Sequence, residues 1–392
     1  MVSPFLLLYG VVFLNSVSLS VVFPSLYNFA TTLGINPALA AFYFSAYGIA
    51  QFLAAPVLGR ISDTMARRPV LLLCTAGTAL ASLVQASVAV PAVLIIVRVL
   101  DGATGGNNSV AEAALSDLST PQDRARVYAG SNAAFGAGFL AGPLLNWWLV
   151  SFGLQMPFVA AAALATLATV LLFNYFEETL VVRPPKRTSL LPEVARIFTN
   201  LQEGLFTPLV GIIFAYMFVY AVVAGSFYFS IQPYVLDVLG EEQGLINAIS
   251  SLFGGANVLI IGCLPYLQRF TSGLTILLIL SVLRSGVLGV LPGSLLVFVT
   301  SAGLICFLNA FTRPILTTLV SLLSADNRQG QNLGTLGSFF GAGFSFGPLL
   351  SGAVITQTGL VSVPFYLGSG LTALVTLFLW RKKATLEARL TS

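Results

Sequence analysis

One strongly apolar stretch, residues 91–115, carries a regular series of polar residues. Arg98, Asp101, Gly105, Asn108 and Glu112 follow at spacings of three or four residues, which places them on one face of a helix over about 21 Å. A guanidinium one turn from a carboxylate can form an ion pair, and a carboxylate can take up and release a proton. These residues therefore indicate proton chemistry within an apolar environment.

We expect proton coupling by Asp101, Arg98 and Glu112. Placing Arg or Asp at the centre of a bilayer costs about 2.5 to 3.5 kcal/mol, so this face is expected to line a central polar cavity and not to face lipid. Two structural alternatives stay open. Arg98 and Asp101 can be a neutralised buried pair that fixes helix packing, and Glu112 can be solvated at a helix end.

Polar and aromatic residues elsewhere are candidates for the same cavity. Asn309 and Arg313 lie one turn apart, and Arg313 can supply a cation for an anionic substrate, with snorkelling to the interface as the alternative. Arg284 lies nearer the middle of another apolar stretch and has no evident partner in the sequence. Packing is the alternative for the aromatic members. The other candidates are Asn15, Tyr43, Tyr47, Gln51, Asn108, Tyr216, Tyr220, Gln232 and Asn257.

Several kinds of chemistry lack their residues in this chain. It contains no His and only three Cys, so it lacks an imidazole relay and any metal-binding or disulfide pattern. No Walker lysine motif or nucleophile elbow is present. We expect no cofactor, no metal and no enzymatic activity, and any proton chemistry has to use carboxylates.

The elements that position these residues are membrane helices. Of the 392 residues, 57% are hydrophobic and 8% are charged, whereas soluble domains have about 25% charged residues. The apolar runs are too long and alternate too little for a β-barrel. They predict an all-α protein with twelve spans: 5–28, 38–58, 70–89, 91–115, 127–150, 157–176, 206–231, 243–264, 272–291, 293–322, 331–355 and 361–380.

The distribution of basic residues predicts the topology. With the N-terminus inside, fifteen of the eighteen Lys and Arg residues fall on the cytoplasmic side, so both termini are expected there. The net charge of +4 then reflects topology and gives no reason to expect nucleic-acid binding. The predicted organisation is an N-terminal six-helix bundle (1–176), a cytoplasmic linker (177–205), a C-terminal six-helix bundle (206–380) and a cytoplasmic tail (381–392).

An internal repeat supports the division into halves. Phe135–Leu145 and Phe340–Leu350, 205 residues apart, are identical at nine of eleven positions. Such a duplication predicts two pseudo-symmetric bundles with a substrate site between them near the bilayer midplane. Small residues one turn apart permit close helix packing, and a Pro can kink the helix. The residues expected to do this are Gly138, Gly142, Pro143, Gly343, Gly347 and Pro348.

The segment between the second and third predicted spans resembles the loop pattern G-x-x-x-D-R-x-G-R-R of the major facilitator superfamily. Gly59, Asp63, Arg67 and Arg68 match it, while Thr64 and Ala66 replace the usual Arg and Gly. The resemblance implies that the four matching residues form a conformational latch; topology-determining positive charge is the alternative.

Other segments extend the resemblance. Arg98 to Gly102 looks like the helix 4 pattern R-x-x-x-G, and Gly138 to Pro143 resembles the helix 5 antiporter signature up to its Pro. Residues 313–352, together with Gly59 to Pro69, resemble the drug:proton antiporter branch related to tetracycline exporters. The resemblance implies a transporter that exports a small amphipathic solute in exchange for protons by alternating access. We expect it to be a monomer in the plasma (inner) membrane.

Two other functions stay open. Drug-efflux members of the superfamily often carry an Asp in helix 1 where this chain has Asn15, and a neutral amide cannot exchange a proton. Asn15 therefore favours the alternative of a uniporter or proton symporter for an organic metabolite. The third possibility is a membrane receptor or scaffold that uses the same fold without transporting a solute.

Overall fold

The computed structural model describes residues 3–120, 123–180, 191–207, 209–267, 271–324 and 329–390, and the regular structure of these ranges is helical. The predicted basic linker segment 181–190 and Arg328 lie outside the described residues. The helices up to the linker are α1 (Pro4–Val22), α2 (Leu26–Thr32), α3 (Pro37–Met65), α4 (Arg67–Ser87), α5 (Pro91–Ala103), α6 (Asn107–Leu118), α7 (Arg124–Leu149) and α8 (Met156–Tyr175).

A further helix, α9 (Leu191–Phe206), lies within the range predicted as linker. A π-helical turn, Tyr234–Val238, directly follows α10. The predicted tail begins with the last residue of α15 and contains α16. The remaining helices are α10 (Val210–Pro233), α11 (Gln243–Leu267), α12 (Gly273–Val290), α13 (Leu295–Leu323), α14 (Gln329–Thr358), α15 (Val363–Arg381) and α16 (Lys383–Leu390).

Within the described ranges, ten helices are long and apolar enough to cross a bilayer. The chain is therefore an integral, multi-pass membrane protein, as its composition predicts. Large apolar side chains such as Leu80, Trp148, Leu296 and Leu374 are more than half exposed on these helices, where a bilayer supplies acyl chains to cover them. Of the twelve predicted spans, 91–115 and 243–264 do not belong to these ten, and the count of twelve remains a prediction.

The fourth predicted span is not one continuous helix. It ends as α5 at Ala103 and resumes as α6 at Asn107, so the prediction of a single 21 Å face from Arg98 to Glu112 is wrong. Glycine is a poor helix former, and two glycines lie at this break. A Cβ on Gly106 would lie 2.5 Å from Cδ1 of Leu58, so glycine also lets α3 approach the break.

The predicted loop between the second and third spans is almost entirely helical. α3 runs on to Met65 and α4 starts at Arg67, so Ala66 is the whole connection. Its backbone has φ 126° and ψ 157°, a region that glycine occupies readily and other residues avoid. The matching charged residues therefore lie on helix ends, where each has a fixed direction.

The chain divides into two compact units. The first contains Met1–Ile35, Ala46–Ala195 and Gln243–Gly255, and the second contains Asn36–Ser45, Arg196–Glu242 and Ala256–Ser392. Each unit has its own apolar core. The core of the first includes Leu8, Leu71, Leu115 and Leu172. The core of the second includes Phe214, Leu277, Phe311 and Leu316.

The first copy of the repeated segment lies on α7 and packs against α1. A Cβ on Gly138 would lie 2.5 Å from Cβ of Ser16, and one on Gly142 would lie 2.7 Å from the backbone nitrogen of Val21. Ser20 adds a hydrogen bond by donating to the Gly138 carbonyl at 2.9 Å. The small residues therefore bring the two helix backbones together, and Pro143 lies inside α7 just after them.

The second copy lies on α14 and packs in the same way against α10. A Cβ on Gly343 would lie 2.5 Å from the carbonyl oxygen of Phe218, and one on Gly347 would lie 2.9 Å from the carbonyl carbon of Gly225. Pro348 again follows inside the helix. The repeat thus makes one kind of helix contact twice, once in each unit.

Candidate functional site

A small cavity of about 30 Å³ lies within the first unit, beside the break between α5 and α6. This volume has room for about two water molecules. Five of the helices contribute polar side chains to its wall. They are Asn15, Ser16 and Ser18 from α1, Tyr47 and Gln51 from α3, Thr78 and Ser82 from α4, Arg98 and Asp101 from α5, and Asn107 and Asn108 from α6.

Arg98 and Asp101 form a buried ion pair on the wall of this cavity. Their exposed fractions are 2% and 3%, and Nη1 of Arg98 lies 3.3 Å from Oδ2 of Asp101. The guanidinium carbon also lies 4.9 Å from the centre of the Tyr47 ring, within the range of a cation–π contact. The second carboxylate oxygen, Oδ1, is buried and has no hydrogen-bond partner among the described residues. Thr78 on α4 is a second hydrogen-bonding neighbour of this carboxylate, and Oδ1 can accept a proton or a water.

Asn15 faces the same cavity from α1 with its amide unpaired. It is 8% exposed, and neither its amide nitrogen nor its amide oxygen has a hydrogen-bond partner among the described residues. Buried polar atoms without a partner are rare and require an explanation, such as water, an ion or a ligand. Asn15 therefore offers one donor group and one acceptor to whatever enters the cavity.

Gln51 connects the cavity wall to the helix break. Its Nε2 donates to the Tyr47 hydroxyl at 3.0 Å and to the carbonyl oxygen of Gly105 at 2.6 Å. A helix leaves its last carbonyl groups without intrahelical partners, so Gln51 satisfies one of the groups that the break exposes. The predicted residues Asn15, Tyr47, Gln51 and Asn108 thus come together with the ion pair.

Two predicted residues lie apart from this cavity. Glu112 is exposed on α6 and does not belong to the cavity wall, so the structure does not place it with Asp101. Tyr43 is fully buried and belongs to the second unit. Five polar residues that the sequence reasoning did not select also line the cavity: Ser16, Ser18, Thr78, Ser82 and Asn107. Their polarity within apolar helices is the signal that would have found them.

A second polar cluster lies in the second unit around Arg284 of α12. Arg284 is 2% exposed, and its Nη1 donates to Oγ1 of Thr312 at 3.0 Å while Nη2 donates to the Tyr216 hydroxyl at 2.9 Å. Its guanidinium carbon lies 4.8 Å from the centre of the Tyr220 ring. The Tyr220 hydroxyl donates to the carbonyl oxygen of Asn309 at 3.0 Å. The structure therefore joins three predicted residues to a cation for which the sequence offered no partner.

The other candidates of the second unit have their own surroundings. Gln232 is 1% exposed and donates from Nε2 to the carbonyl oxygen of Tyr228 at 3.4 Å. Arg313 is exposed, with its guanidinium carbon 4.9 Å from the centre of the Phe340 ring. Asn257 is half-buried on α11.

The four predicted latch residues lie at the α3–α4 connection. Arg67, 6% exposed, forms ion pairs with Asp63 and, at 2.9 Å, with Asp117 at the end of α6. Arg68 donates to the carbonyl oxygen of Phe173 at 2.6 Å. Gly59 has no atom within 4 Å of where a Cβ would be, so the packing does not require glycine there.

Glu178 completes the connection. It accepts hydrogen bonds from the backbone N–H groups of Arg67 at 2.9 Å and Arg68 at 3.0 Å, and so caps α4 from beyond α8. Burial by itself would raise the pKa of Glu178, but bonds from four backbone N–H groups outweigh it and hold this pKa below its usual range. The sequence reasoning did not select Asp117 or Glu178. The signal was available, because both acids lie in polar segments on the predicted cytoplasmic side together with the bases.

No group of three or more His, Cys, Asp or Glu residues suited to a metal ion occurs in the part of the chain that the structure describes. What the fold offers is a set of apolar, membrane-length helices with an arginine enclosed in each of two units. Ionisable residues buried among membrane-spanning helices are typical of membrane transporters.

The family follows from a direct match. The model of the Major Facilitator Superfamily matches residues 8–307, and the chain belongs to this superfamily. Among curated proteins, the chain is 36% identical to the tetracycline resistance protein of class C from Escherichia coli over 158 residues. That match covers 40% of this chain and 40% of the relative, so less than half of the relative's length is spanned.

Two longer similarities extend over most of the chain. It is 27% identical to the class E tetracycline resistance protein of Escherichia coli over 368 residues, 89% of this chain and 87% of the relative. Its fold is similar to the crystal structure of the human organic anion transporter MFSD10 (TETRAN). That comparison has a TM-score of 0.71 and 22% identity, and covers 97% of this chain and 100% of the other. The chain is therefore similar to tetracycline resistance proteins in sequence and to an organic anion transporter in fold.

Proposed function

We propose that this protein is a secondary active transporter that exports a small amphipathic solute in exchange for protons. The proposal places it as a monomer with twelve spans in the plasma (inner) membrane, with both termini cytoplasmic. The observation that carries it is Asp101, a buried carboxylate that lines a polar cavity, pairs with Arg98 through one oxygen and leaves the other unpaired. The similarity to tetracycline resistance proteins supports the direction of transport.

The chemistry follows from the charge of the pair. When Asp101 is ionised, it neutralises Arg98, and the cavity wall carries no net charge from this pair. When Asp101 takes up a proton, Arg98 is left as a buried cation against the Tyr47 ring and polar amides. An unpaired buried charge is costly, so the two protonation states favour different conformations, which is how proton binding can be linked to alternating access.

A uniporter or proton symporter for an organic metabolite is the second candidate. The observation that favours it is the amide of Asn15, which faces the cavity without a partner and cannot exchange a proton. In this reading, Asn15 binds a polar group of the solute directly. Measuring the direction of solute flux and its coupling to protons distinguishes this alternative from proton-coupled export.

The test uses the full-length protein in liposomes that contain a pH-sensitive dye. Lipophilic cations, neutral drugs and organic anions are each added under an imposed pH gradient. We expect at least one class of compound to evoke proton movement, and we expect Asp101→Asn to abolish that movement while leaving solute exchange without a gradient. Asp123→Asn makes the same change at an exposed carboxylate and serves as the control, and Glu112→Gln tests the second predicted carboxylate.

Three results would contradict the proposal. Downhill flux of a metabolite with no proton movement under any gradient supports the uniporter. Proton-coupled transport that persists in Asp101→Asn would show that residues other than Arg98 and Asp101 couple the proton. Absence of flux for every compound supports the receptor or scaffold.

A further inference from the structure

Arg284 is a buried cation in the second unit. No described acidic residue forms an ion pair with it. The sequence explains why, since it contains no Asp or Glu from Gln243 to Ala325 or from Gln329 to Leu386. These ranges include all of α11 to α15, so the helices around Arg284 offer almost no carboxylate that any rearrangement could bring to it.

The hydrogen-bond partners of Arg284 are all neutral. Tyr216, which accepts from Nη2, is hydrogen-bonded to the Ser281 hydroxyl, and Ser281 donates to the carbonyl oxygen of Leu277 at 2.6 Å. Thr312, which accepts from Nη1, donates to the carbonyl oxygen of Leu308 at 3.3 Å. Both chains of bonds end on backbone carbonyls. They orient the guanidinium and spread its charge, but they do not neutralise it.

One donor of this guanidinium is also unused. Nε of Arg284 is buried and has no hydrogen-bond partner among the described residues. The Tyr220 ring stabilises one face of the group through its cation–π contact. A buried arginine with an unpaired donor and only neutral hydrogen-bond partners has the electrostatic properties of an anion site before the anion has bound.

We propose that Arg284, held by Tyr216 and Thr312, is the subsite that binds the carboxylate of an amphipathic organic acid carried by this transporter. One carboxylate oxygen accepts from Nε, and the two hydroxyls can turn to donate to the anion. The aromatic side chains around the guanidinium suit the apolar body of the solute. Arg284 is enclosed in the described conformation, so the proposal requires the helices around it to separate before the acid can bind. The inference rests on the proposed transport function and specifies its substrate class.

The experiment measures charge selectivity in binding. Full-length protein in neutral detergent is heated with 1-naphthoate or 4-phenylbutyrate, each compared with its own primary amide, and unfolding is followed by tryptophan fluorescence. We expect the acids to raise Tm at concentrations at least tenfold lower than the amides. In Arg284→Gln, acid and amide should become equivalent, and Arg284→Lys should keep part of the preference. Arg381→Gln, which removes an exposed arginine of the same unit that belongs to no predicted site, should keep all of it.

Two milder variants keep the test usable if Arg284→Gln does not fold. Tyr216→Phe and Thr312→Val each remove one hydroxyl that holds the guanidinium and leave its charge in place. Each should weaken binding of the acids several-fold without changing binding of the amides. If Arg284 had only a structural role, these substitutions would lower Tm equally with and without ligand. The preference for the acids over the amides would then be unchanged.

Three results would overturn the inference. They are equal effects of acid and amide on the unmodified protein, acid binding that is unchanged in folded Arg284→Gln, and an Arg284-dependent rise in Tm with phosphatidylglycerol but not with the acids. The last result assigns the site to a lipid phosphate. Flux in liposomes separates the two proposals, because transport without anion preference leaves the proposed function intact, while anion binding without flux leaves the subsite intact.

Discussion

The two units enclose their arginines in opposite ways. In the first, Arg98 lies against Asp101, and Arg67 lies between Asp63 and Asp117, so each of these buried cations has a carboxylate partner. In the second, Arg284 is equally buried, but its partners are two hydroxyls and an aromatic ring. The halves share a repeated segment and a repeated helix contact, yet the first pairs its buried arginines with carboxylates and the second leaves Arg284 with neutral hydrogen-bond partners.

The difference assigns separate tasks to the two units in our proposals. A pair that can be neutralised by one proton suits coupling, because protonation alone changes its net charge. A cation without an acid cannot respond to pH in this way and suits the binding of an anion supplied from outside. The comparison can be tested by removing one member of each arrangement.

The largest effect is expected from Asp101→Asn. It leaves Arg98 buried without its carboxylate, and breaking a buried pair from one side typically lowers the free energy of unfolding by about 3 to 5 kcal/mol. The double variant Arg98→Gln/Asp101→Asn should recover at least half of that loss, because no unpaired charge remains. Denaturant unfolding of the purified protein measures both values. An Asp101→Asn protein as stable as the original would show that the pair is not energetically coupled.

Arg284→Met is expected not to lower the free energy of unfolding, in contrast to Asp101→Asn. Replacing an unbalanced buried charge by an apolar side chain of similar length removes a desolvation cost, so the free energy of unfolding should stay the same or rise by about 1 to 2 kcal/mol. The matched change Arg98→Met should be destabilising, since it strands Asp101. The same unfolding measurement on both variants compares the units directly. If Arg284→Met costs as much as Arg98→Met, the two arginines are not different in kind.

Ala66→Gly tests whether the backbone of Ala66, which connects α3 to α4 beside the ion pairs of Arg67, is strained. A non-glycine residue at φ 126° and ψ 157° has a backbone strain energy of about 1 to 3 kcal/mol. Glycine relieves this strain, but its greater conformational freedom in the unfolded chain offsets part of the gain. We expect a gain in stability of about 1 kcal/mol, seen as a higher Tm. Ala76→Gly, at an exposed position within α4, should lose about 1 kcal/mol and is the control. A loss of stability in both variants would mean that Ala66 is unstrained.

The smallest effect concerns Glu178. Because its pKa is lowered in the folded protein, its cap on α4 stabilises the fold above the pKa of an unfolded glutamate, about 4.3, and this contribution disappears as the pH falls through the lower folded pKa. Glu178→Gln should therefore lose about 0.5 kcal/mol at pH 7, with water screening the effect, and should differ less from the original protein at pH 3. Glu177→Gln, at an exposed neighbour, should show no such convergence in Tm between the two pH values.

The sequence was sufficient for the membrane fold because the bilayer imposes a simple requirement. A long apolar run has to become a helix, so most predicted spans match helices to within a few residues. The breaks were harder to predict. Gly105 and Gly106 interrupt a helix that periodicity extends through them, and Ala66 turns the chain within one residue where a loop was expected.

The candidate site divides along the same line. Arg98 and Asp101 were found because partners one turn apart on a helix are visible in the sequence. The environment of Arg284 was not, because Tyr216 and Thr312 come from helices 68 and 28 residues away along the chain. Which neutral side chains surround a buried charge is decided by tertiary packing, and no local pattern records it.

The helix contact made by the repeated segment can form only after both of its helices have been synthesised. Ser20 of α1 meets Gly138 of α7 across 118 residues of chain, and Ser226 of α10 meets Ser351 of α14 across 125. At about 5 to 20 residues per second, the ribosome needs roughly 6 to 25 seconds to deliver the later partner. During that interval the contact surface of α1 lacks its native partner, and the same holds later for α10. Lipid, chaperones or a non-native helix can contact that surface until the partner helix is synthesised.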